Sequence, residues 1–333
     1  MTQFVGTSGA DTANATTGVL IGFSGGGLAQ LQDNQLDEFH CEGGNDVVVA
    51  GPGGDGLYGG EGNDSLDGGA GDDVIEGEAG NDTLTGGIGN DLLIGGAGAD
   101  TVFGGSGNDD IYINGSEGIA DSMNGGSGVD SLVFANFTGP SSAVTLSGFN
   151  AGAASIEKLL GNDKGLFGTA GANTFDFSAL KQMFSVPFVD GGEGNDTIIG
   201  FKGSDTLRGG AGDDVLNGGL GRDTLFGGPD ADRFDFNSIK ESKKGGPRDK
   251  IMDFKRGQDD VIDLRDIDAK SGVGGNQNFK FIGKQDFHEK KGELRYEDKG
   301  STVIVQGDTN GDGKADFEIF VNVGSLAKGD FIL

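Results

Sequence analysis

A single aliphatic side chain recurs at every ninth residue between positions 41 and 112, among glycines and polar residues. Three residues around each aliphatic predict a short strand with its middle side chain inward, and the six Gly-rich residues before it predict a turn. A fixed period this short indicates a solenoid of stacked coils rather than a globular core. The aliphatics fill the eighth position of eight consecutive units: Val48, Leu57, Leu66, Ile75, Leu84, Leu93, Val102 and Ile111.

The polar positions of the same units repeat as strictly, with Gly always fourth and Asp always sixth. Stacked coils would align the aspartates along the outside of the turns, where their mutual repulsion disfavours stacking until a hard cation enters between coils. Ca²⁺ suits this role, since it accepts about six to eight oxygens from carboxylates and carbonyls in loose geometry. The predicted calcium ligands of this first block are Asp46, Asp55, Asp64, Asp73, Asp82, Asp91, Asp100 and Asp109.

The unit Gly59-Gly60-Glu61-Gly62-Asn63-Asp64-Ser65-Leu66-Asp67 resembles the RTX (hemolysin-type) calcium-binding repeat GGxGxDxUx. The resemblance implies that two repeats form one coil of a parallel β-roll, and that each ion lies between turns of adjacent coils on one edge. A flexible Gly/Asp-rich linker is the alternative, because Gly and Pro together are 74 of 333 residues. A linker would not keep an aliphatic residue at every ninth position.

The period returns after residue 112 with interruptions. The unit 125–133 closes the first block, and the unit 168–176 has Asn173 in the Asp position, which predicts weak calcium binding or none. A second block of five units runs from Gly191 to Asp235. The further predicted calcium ligands are Asp130, Asp196, Asp205, Asp214, Asp223 and Asp232.

These patterns predict an all-β protein, a calcium-stapled parallel β-roll in two blocks with a β-rich C-terminal cap. The expected divisions are an N-terminal cap with a degenerate repeat at 1–40, roll blocks at 41–133 and 191–235, an irregular spacer with degenerate repeats at 134–190, and the C-terminal cap at 236–333.

The C-terminal segment has a different composition, with 17 Lys or Arg against 18 Asp or Glu from Phe236 onward. Alternating stretches such as Asp260-Val261-Ile262-Asp263-Leu264 and Thr302-Val303-Ile304-Val305 predict strands. With the ending Asp330-Phe331-Ile332-Leu333, this segment resembles the C-terminal domain of serralysin-type metalloproteases. The resemblance implies a domain that caps the roll and carries an uncleaved type I secretion signal.

One loop of the cap suggests a separate ion. Asp308, Asn310, Asp312 and Asp316 take positions 1, 3, 5 and 9 of a loop that begins like an EF-hand, with Gly313 at position 6. Ile319 stands at position 12, where an EF-hand has its bidentate Glu. Both a calcium site and a plain Asp/Gly turn between strands remain open for this loop.

Charge and targeting patterns narrow the partners. Residues 1–157 hold 23 Asp or Glu and no Lys or Arg, so nucleic acid and anionic membrane surfaces are disfavoured partners. The N-terminus has no basic and apolar Sec signal, and no apolar run is long enough to span a membrane as a helix. The expected location is therefore extracellular, through a type I secretion apparatus.

Catalytic motifs are incomplete. His288-Glu289-Lys290-Lys291-Gly292 has Gly where the zinc motif H-E-x-x-H requires its second His. The catalytic modules of serralysins and of mannuronan epimerases, which also carry such rolls, have no counterpart here. The sequence predicts a secreted, non-catalytic calcium-binding protein with a structural or adhesive role, whose architecture resembles small secreted RTX proteins. The alternatives are an extracellular polysaccharide-binding module and, with less support, a pore-forming protein.

Overall fold

The computed structural model describes residues 2–14, 19–21, 24–25, 36–113, 122–134, 143–146, 149–245 and 248–333. These residues contain strands, turns and two short 3₁₀ helices at Arg256–Gln258 and Lys328–Asp330. The predicted all-β architecture with parallel β-rolls is therefore confirmed. The chain forms two compact units, one of residues 1–166 with 179–186 and one of residues 167–178 with 187–333.

The first unit is built from strands that follow one another closely along the chain. Those up to residue 134 are β1 Thr2–Val5, β2 Thr12–Asn14, β3 Val19–Ile21, β4 Ser24–Gly25, β5 Asp37–His40, β6 Val47–Pro52, β7 Gly56–Glu61, β8 Ser65–Ala70, β9 Val74–Ala79, β10 Thr83–Ile88, β11 Leu92–Ala97, β12 Thr101–Ser106, β13 Asp110–Ile113, β14 Ser122–Ser127 and β15 Ser131–Phe134.

Shorter strands follow between residues 143 and 184. They are β16 Ala143–Thr145, β17 Phe149–Asn150, β18 Lys158–Leu160, β19 Gly165–Phe167, β20 Thr174–Asp176 and β21 Gln182–Phe184. Strands β18 and β21 extend a sheet of the first unit, beyond β15. Strand β20 lies in the second unit, so the expected spacer region contributes strands to both units.

Successive strands of the first block alternate between two sheets. One sheet has the order β21-β18-β15-β13-β11-β9-β7-β5-β1-β4, and the other has the order β14-β12-β10-β8-β6-β2-β3. Neighbours are parallel, except for the antiparallel pairs β1–β4 and β2–β3 at the sheet ends. Leu66 pairs with Val48 on one side and Leu84 on the other. One coil is therefore two nonapeptide units, as the resemblance implied. Much of the expected N-terminal cap lies outside the described residues.

The eighth-position aliphatics of both sheets meet inside the coil. Leu57, Ile75 and Leu93 line one sheet together with the aromatic Phe39, and all four are fully buried. This narrow ladder is the hydrophobic core of the first block.

The strands are longer than the sequence pattern suggested. Each of β6 to β12 has six residues rather than three. The extra residues belong to the first three positions of the next unit, where Gly51 pairs with Gly69 in the parallel ladder. Small residues at these positions let adjacent coils approach closely: a Cβ on Gly69, whose φ is +98°, would lie 2.3 Å from the carbonyl oxygen of Gly51.

The second unit repeats the two-sheet coil and adds the C-terminal strands. These are β22 Val189–Glu193, β23 Thr197–Ile199, β24 Thr206–Ala211, β25 Val215–Asn217, β26 Thr224–Phe226, β27 Arg233–Asp235, β28 Lys250–Ile251, β29 Val261–Asp263, β30 Lys280–Gly283, β31 Glu293–Asp298, β32 Val303–Asp308, β33 Phe317–Val321 and β34 Phe331–Ile332.

The roll continues into the cap without a break in strand pairing. Strand β28 pairs in parallel with β26, and β29 pairs in parallel with β27 and β34. Beyond β28, the sheet continues with β33 in parallel, then with β32, which is antiparallel to both β33 and β31, and it ends on β30. The terminal Phe331 packs against Phe281, with ring centroids 5.2 Å apart.

Candidate calcium sites in the turns

The sixth-position aspartates lie beneath the turns, not along their outside. Every predicted ligand of the two blocks is at most 7 % exposed. The expectation of an outward column of carboxylates is therefore wrong. The Asp side chain turns inward because the backbone of the neighbouring coil offers it an N–H donor, and because the first-position Gly leaves space for it.

One carboxylate oxygen of each aspartate joins adjacent coils. The Asp46 N–H donates to Asp64 Oδ1 at 2.8 Å, and the Asp64 N–H donates to Asp82 Oδ1 at 2.8 Å. We call this series, in which each position-6 side chain accepts the N–H of its counterpart one coil earlier, the Asp ladder. Further steps join Asp37 to Asp55, Asp55 to Asp73, Asp73 to Asp91, Asp91 to Asp109, Asp196 to Asp214, Asp205 to Asp223 and Asp214 to Asp232.

A second, exposed ladder runs in the opposite sense at position 5. The Asn63 N–H donates to Asn45 Oδ1 at 2.9 Å, and the Asn81 N–H donates to Asn63 Oδ1 at 2.8 Å. Here the side chain belongs to the earlier coil and the N–H to the later one. Each pair of coils is thus held by a side chain from either partner.

The second carboxylate oxygen, Oδ2, is the one available to bind a cation. Within the described residues, Oδ2 is buried and has no hydrogen-bond donor in most of the ladder. A buried carboxylate oxygen with no partner is unfavourable, so each such atom calls for a cation or a proton. The aspartates concerned are Asp46, Asp64, Asp73, Asp82, Asp91, Asp109, Asp130, Asp196, Asp214, Asp223 and Asp232.

A backbone carbonyl points toward the same space. A Cβ placed on Gly59 would lie 2.4 Å from Asp64 Oδ2 and 2.7 Å from the carbonyl oxygen of Gly77, one coil later. The equivalent position on Gly191 lies 2.2 Å from Asp196 Oδ2 and 2.4 Å from the Gly209 carbonyl oxygen. The first-position Gly therefore keeps open a space bounded by carboxylate and carbonyl oxygens, which is the donor set that Ca²⁺ prefers.

The electrostatics of the ladder favour uptake of positive charge. Burial, followed by the neighbouring carboxylates of the ladder, raises the pKa of Asp73 to about 7 despite the N–H of Asp55. The same causes raise the pKa of Asp82 to about 7 and the pKa of Asp232 to about 8. Because these groups carry a cost when ionised, a bound divalent cation would stabilise the coil.

Asn173 shows how the site behaves without the charge. Its Nδ2 lies within hydrogen-bonding distance of Asp196 Oδ1 at 3.1 Å and also donates to the Gly171 carbonyl oxygen. The amide thus supplies donors on its own side of the turn. Weak calcium binding or none at this turn stays a prediction.

Three acidic residues that the sequence analysis missed end the ladders. Glu157 Oε2 accepts the Asp130 N–H at 2.9 Å, Asp249 Oδ1 accepts the Asp223 N–H at 2.9 Å, and Asp260 Oδ1 accepts the Asp232 N–H at 3.2 Å. Their partners are 26 to 28 residues away instead of 18, so the nonapeptide period does not reach them. The triplets Asp249-Lys250-Ile251 and Asp260-Val261-Ile262 do keep the Asp-x-aliphatic half of the motif.

The cap loop expected to resemble an EF-hand forms a turn between β32 and β33. Asp308 is buried, and its two carboxylate oxygens accept the N–H groups of Gly311 and Gly313. Asp316 accepts from Thr309 and Asn310, and Asp312 accepts the Lys314 N–H at 2.9 Å. The side chains thus already serve as acceptors for the turn itself. A separate calcium ion in this loop stays a prediction.

Carboxylates alone do not form a metal cluster in the part of the chain that the structure describes: no group of three or more His, Cys, Asp and Glu side chains could hold an ion there. Beside Gly59, a side-chain oxygen of Asp64 and a backbone oxygen of Gly77 border the same space. His288, where the incomplete H-E-x-x-H pattern begins, pairs with the buried Glu293, with Nδ1 3.0 Å from Oε1.

Comparisons with known proteins agree with this picture. The RTX calcium-binding nonapeptide repeat family, in four copies, matches residues 42–75 and again 76–111. The peptidase M10 serralysin C-terminal family matches residues 149–333. No curated protein matches the chain.

Among solved structures, the chain is similar to the R3 subunit of an Azotobacter vinelandii mannuronan C5-epimerase, solved in solution. The two are 24 % identical over 50 % of this chain and 76 % of that one, with a TM-score of 0.25.

None of the described helices is long and apolar enough to cross a membrane.

Proposed function

This chain belongs to the peptidase M10 serralysin C-terminal family and is a calcium-binding RTX protein; we propose that it is secreted, non-catalytic and folded by calcium outside the cell. The observation that carries the proposal is the row of buried Asp Oδ2 atoms that have no donor within the described residues, most of them beside a first-position Gly. Calcium at these positions would satisfy the buried carboxylates and tie each coil to the next.

The calcium concentration decides whether the rolls form. With a Kd of about 10⁻⁴–10⁻³ M, typical of extracellular modules, about 1 mM Ca²⁺ stabilises each site by roughly 0.4–1.4 kcal/mol. At micromolar calcium the same term is about 0.01 kcal/mol or less. Without calcium, only the burial of the short aliphatic side chains would offset the conformational entropy that the many glycines lose on folding and the repulsion between the buried carboxylates. We therefore expect an unfolded roll inside the cell and a folded one outside.

Circular dichroism in EGTA and then in millimolar Ca²⁺ tests this proposal, with Mg²⁺ at the same concentration as the control. We expect the β-signal to develop with Ca²⁺ and not with Mg²⁺, which demands stricter octahedral geometry. A β-signal already complete in EGTA would refute folding by calcium.

Export is the second part of the proposal and rests on the serralysin-type domain. Deleting residues 330–333 should retain the protein in cells that carry its type I secretion apparatus. Ile262→Ala is the matched control, because it loosens the β29–β34 pair, in which Ile262 lies opposite Phe331, but keeps the terminal residues. Secretion of the truncated chain at the level of Ile262→Ala would place the signal elsewhere.

The proposed biological role is structural or adhesive, built on a repetitive acidic scaffold. A polysaccharide-binding role is the alternative, and one feature favours it: Tyr58 and Tyr112 lie half-buried on the outer face of one sheet, with the Tyr58 ring stacked 4.7 Å from His40. A glycan array in millimolar Ca²⁺, repeated with Tyr58→Ala, distinguishes the two roles. Binding lost in the variant would support the polysaccharide role.

A further inference from the structure

The second unit has a cleft at one corner of its roll. Its volume is about 390 Å³, and its walls come from successive coils and from the loop that follows β27. The strands β23, β25 and β27 end after three residues, whereas β6 to β12 of the first block continue for six. Phe201, Gly219 and Asn237 each come two residues after the end of one of these short strands. The chain thus leaves the sheet where the first block continues it, and the corner stays open.

One part of the cleft wall is apolar. Ile199 and Phe201 are half-buried, and Leu220 is 44 % exposed although it is a large aliphatic side chain. Gly219 follows Phe201 by one coil and precedes Asn237 by one coil, and it has no side chain to fill the space between theirs. Small-molecule sites are lined mainly by such apolar and aromatic groups, with a few polar groups that fix the ligand. This wall therefore suits the apolar part of a ligand.

A buried carboxylate also lines the cleft. Glu241 is 8 % exposed, and its Oε2 accepts the Asn237 N–H at 2.9 Å. Within the residues that the structure describes, no Lys, Arg or His forms an ion pair with it. Burial of an unpaired carboxylate is unfavourable, so Glu241 favours a cationic partner that enters the cleft.

A cation lines the same cleft. Lys202 is exposed, and in the described part of the chain no carboxylate lies within ion-pair distance of it. The cleft thus presents one unpaired group of each charge beside the apolar wall. A ligand that uses all three features carries an ammonium group, an anionic group and an apolar body in one small molecule.

We infer that this cleft binds a free apolar α-amino acid. Glu241 pairs with the ammonium group, Phe201 and Leu220 contact the side chain, and Lys202 pairs with the carboxylate. The volume lies near the lower end of the range for small-molecule sites, about 300–1,000 Å³, which suits a single amino acid. The inference goes beyond the proposed function, because none of these residues is among the assigned calcium ligands.

Calorimetric titration of the full chain with L-leucine, in millimolar Ca²⁺, is the first test. We expect saturable binding of one leucine per chain. Isocaproate, which is leucine without its amino group, should not bind, and leucinamide, which lacks the carboxylate, should bind several-fold more weakly. No binding of leucine, or equal binding of isocaproate and leucine, would overturn the inference.

Substitution of Glu241 tests the ammonium site. Glu241→Gln keeps an oxygen for the Asn237 N–H and removes the charge, so the affinity for leucine should fall at least about tenfold. Glu193→Gln is the matched control, because Glu193 is exposed on β22 and does not line the cleft. Elemental analysis of calcium-loaded Glu241→Gln should find as many ions as in the parent. Fewer ions would make Glu241 a calcium ligand and overturn the inference, as would an unchanged affinity for leucine.

Two surface variants keep the test decisive if Glu241→Gln folds poorly. Leu220→Ala should weaken leucine binding several-fold, and Lys202→Met should weaken the binding of leucine but not of leucinamide. Val273→Ala is the control, since Val273 is exposed to a similar extent, at 48 %, and lies outside the cleft. An affinity for leucine that is unchanged in Leu220→Ala or in Lys202→Met would refute the assigned binding mode.

Discussion

The two units use the same coil but compensate its negative charge differently. Residues 1–157 contain no Lys or Arg, and within the described part of the first unit the Asp ladder ends on Glu157, whose only ion-pair partner is Lys181. The second unit carries a cap in which Arg248 pairs with Glu318 and Arg256 with Asp330. We therefore expect the first block to depend on calcium for charge balance, whereas the second unit has some of that balance built into its sequence.

The largest expected difference follows removal of calcium. In EGTA, the amides of residues 47–113 should lose their protection from hydrogen exchange, because each coil there is held by ligands for the ion. The antiparallel strands β31 to β33 should retain protection, since they have their own core of Leu294, Val305 and Ile319. Mass spectrometry of exchanged peptides measures both. Equal loss in the two regions would show that the cap has no stability of its own.

Substitution of one ladder residue should have the next largest effect. Asp73→Asn should lower the free energy of unfolding in Ca²⁺ by about 1–3 kcal/mol, since it removes a charged partner at a buried site. In EGTA the same change should stabilise the coil, because the amide can donate as Asn173 does. Asp72→Asn is the control: Asp72 is exposed, and Asn keeps the acceptor for the Asn90 N–H. Urea titrations in both buffers should show this change of sign.

Filling the space beside a ladder carboxylate should also disfavour the calcium-bound roll. Gly77→Ala would place a Cβ 2.4 Å from Asp82 Oδ2 and 2.5 Å from the Gly95 carbonyl oxygen, so it should weaken calcium binding. Gly171→Ala is the control, because a Cβ there has no neighbour within 4 Å. Calcium titrations of the two variants that coincide would show that the ion does not use this space.

The smallest expected effect is on pH dependence without calcium. Because the folded pKa of Asp73 and Asp82 is about 7, above the ordinary value of 3.8, the folded state binds more protons than the unfolded chain between these values. The contribution of these two groups to stability in EGTA should therefore be fully present below about pH 3.8 and should be lost as the pH rises from there to 7. Melting curves from pH 5 to 8 check this. A midpoint that rises over this interval would contradict the assigned burial.

The sequence predicts the coil well because the same nine-residue pattern recurs along the chain. Leu66 pairing with Val48 and Leu84 follows directly from a nine-residue period and two sheets. The inward direction of Asp64 does not follow, because it depends on a backbone donor in the neighbouring coil. Asp249 and Asp260 escaped prediction because extra residues in the chain displaced them from the period, although a search for Asp-x-aliphatic triplets finds both.

The opposed ladders also constrain how such a molecule can change in length. Within the uninterrupted repeats, the ladder bonds join residues 18 apart, so the addition of two units leaves each later strand in its own sheet. The addition of a single unit would move every later strand to the opposite sheet and exchange the two outer faces. The ladders therefore favour a change of length by whole coils of 18 residues over a change by single nine-residue units.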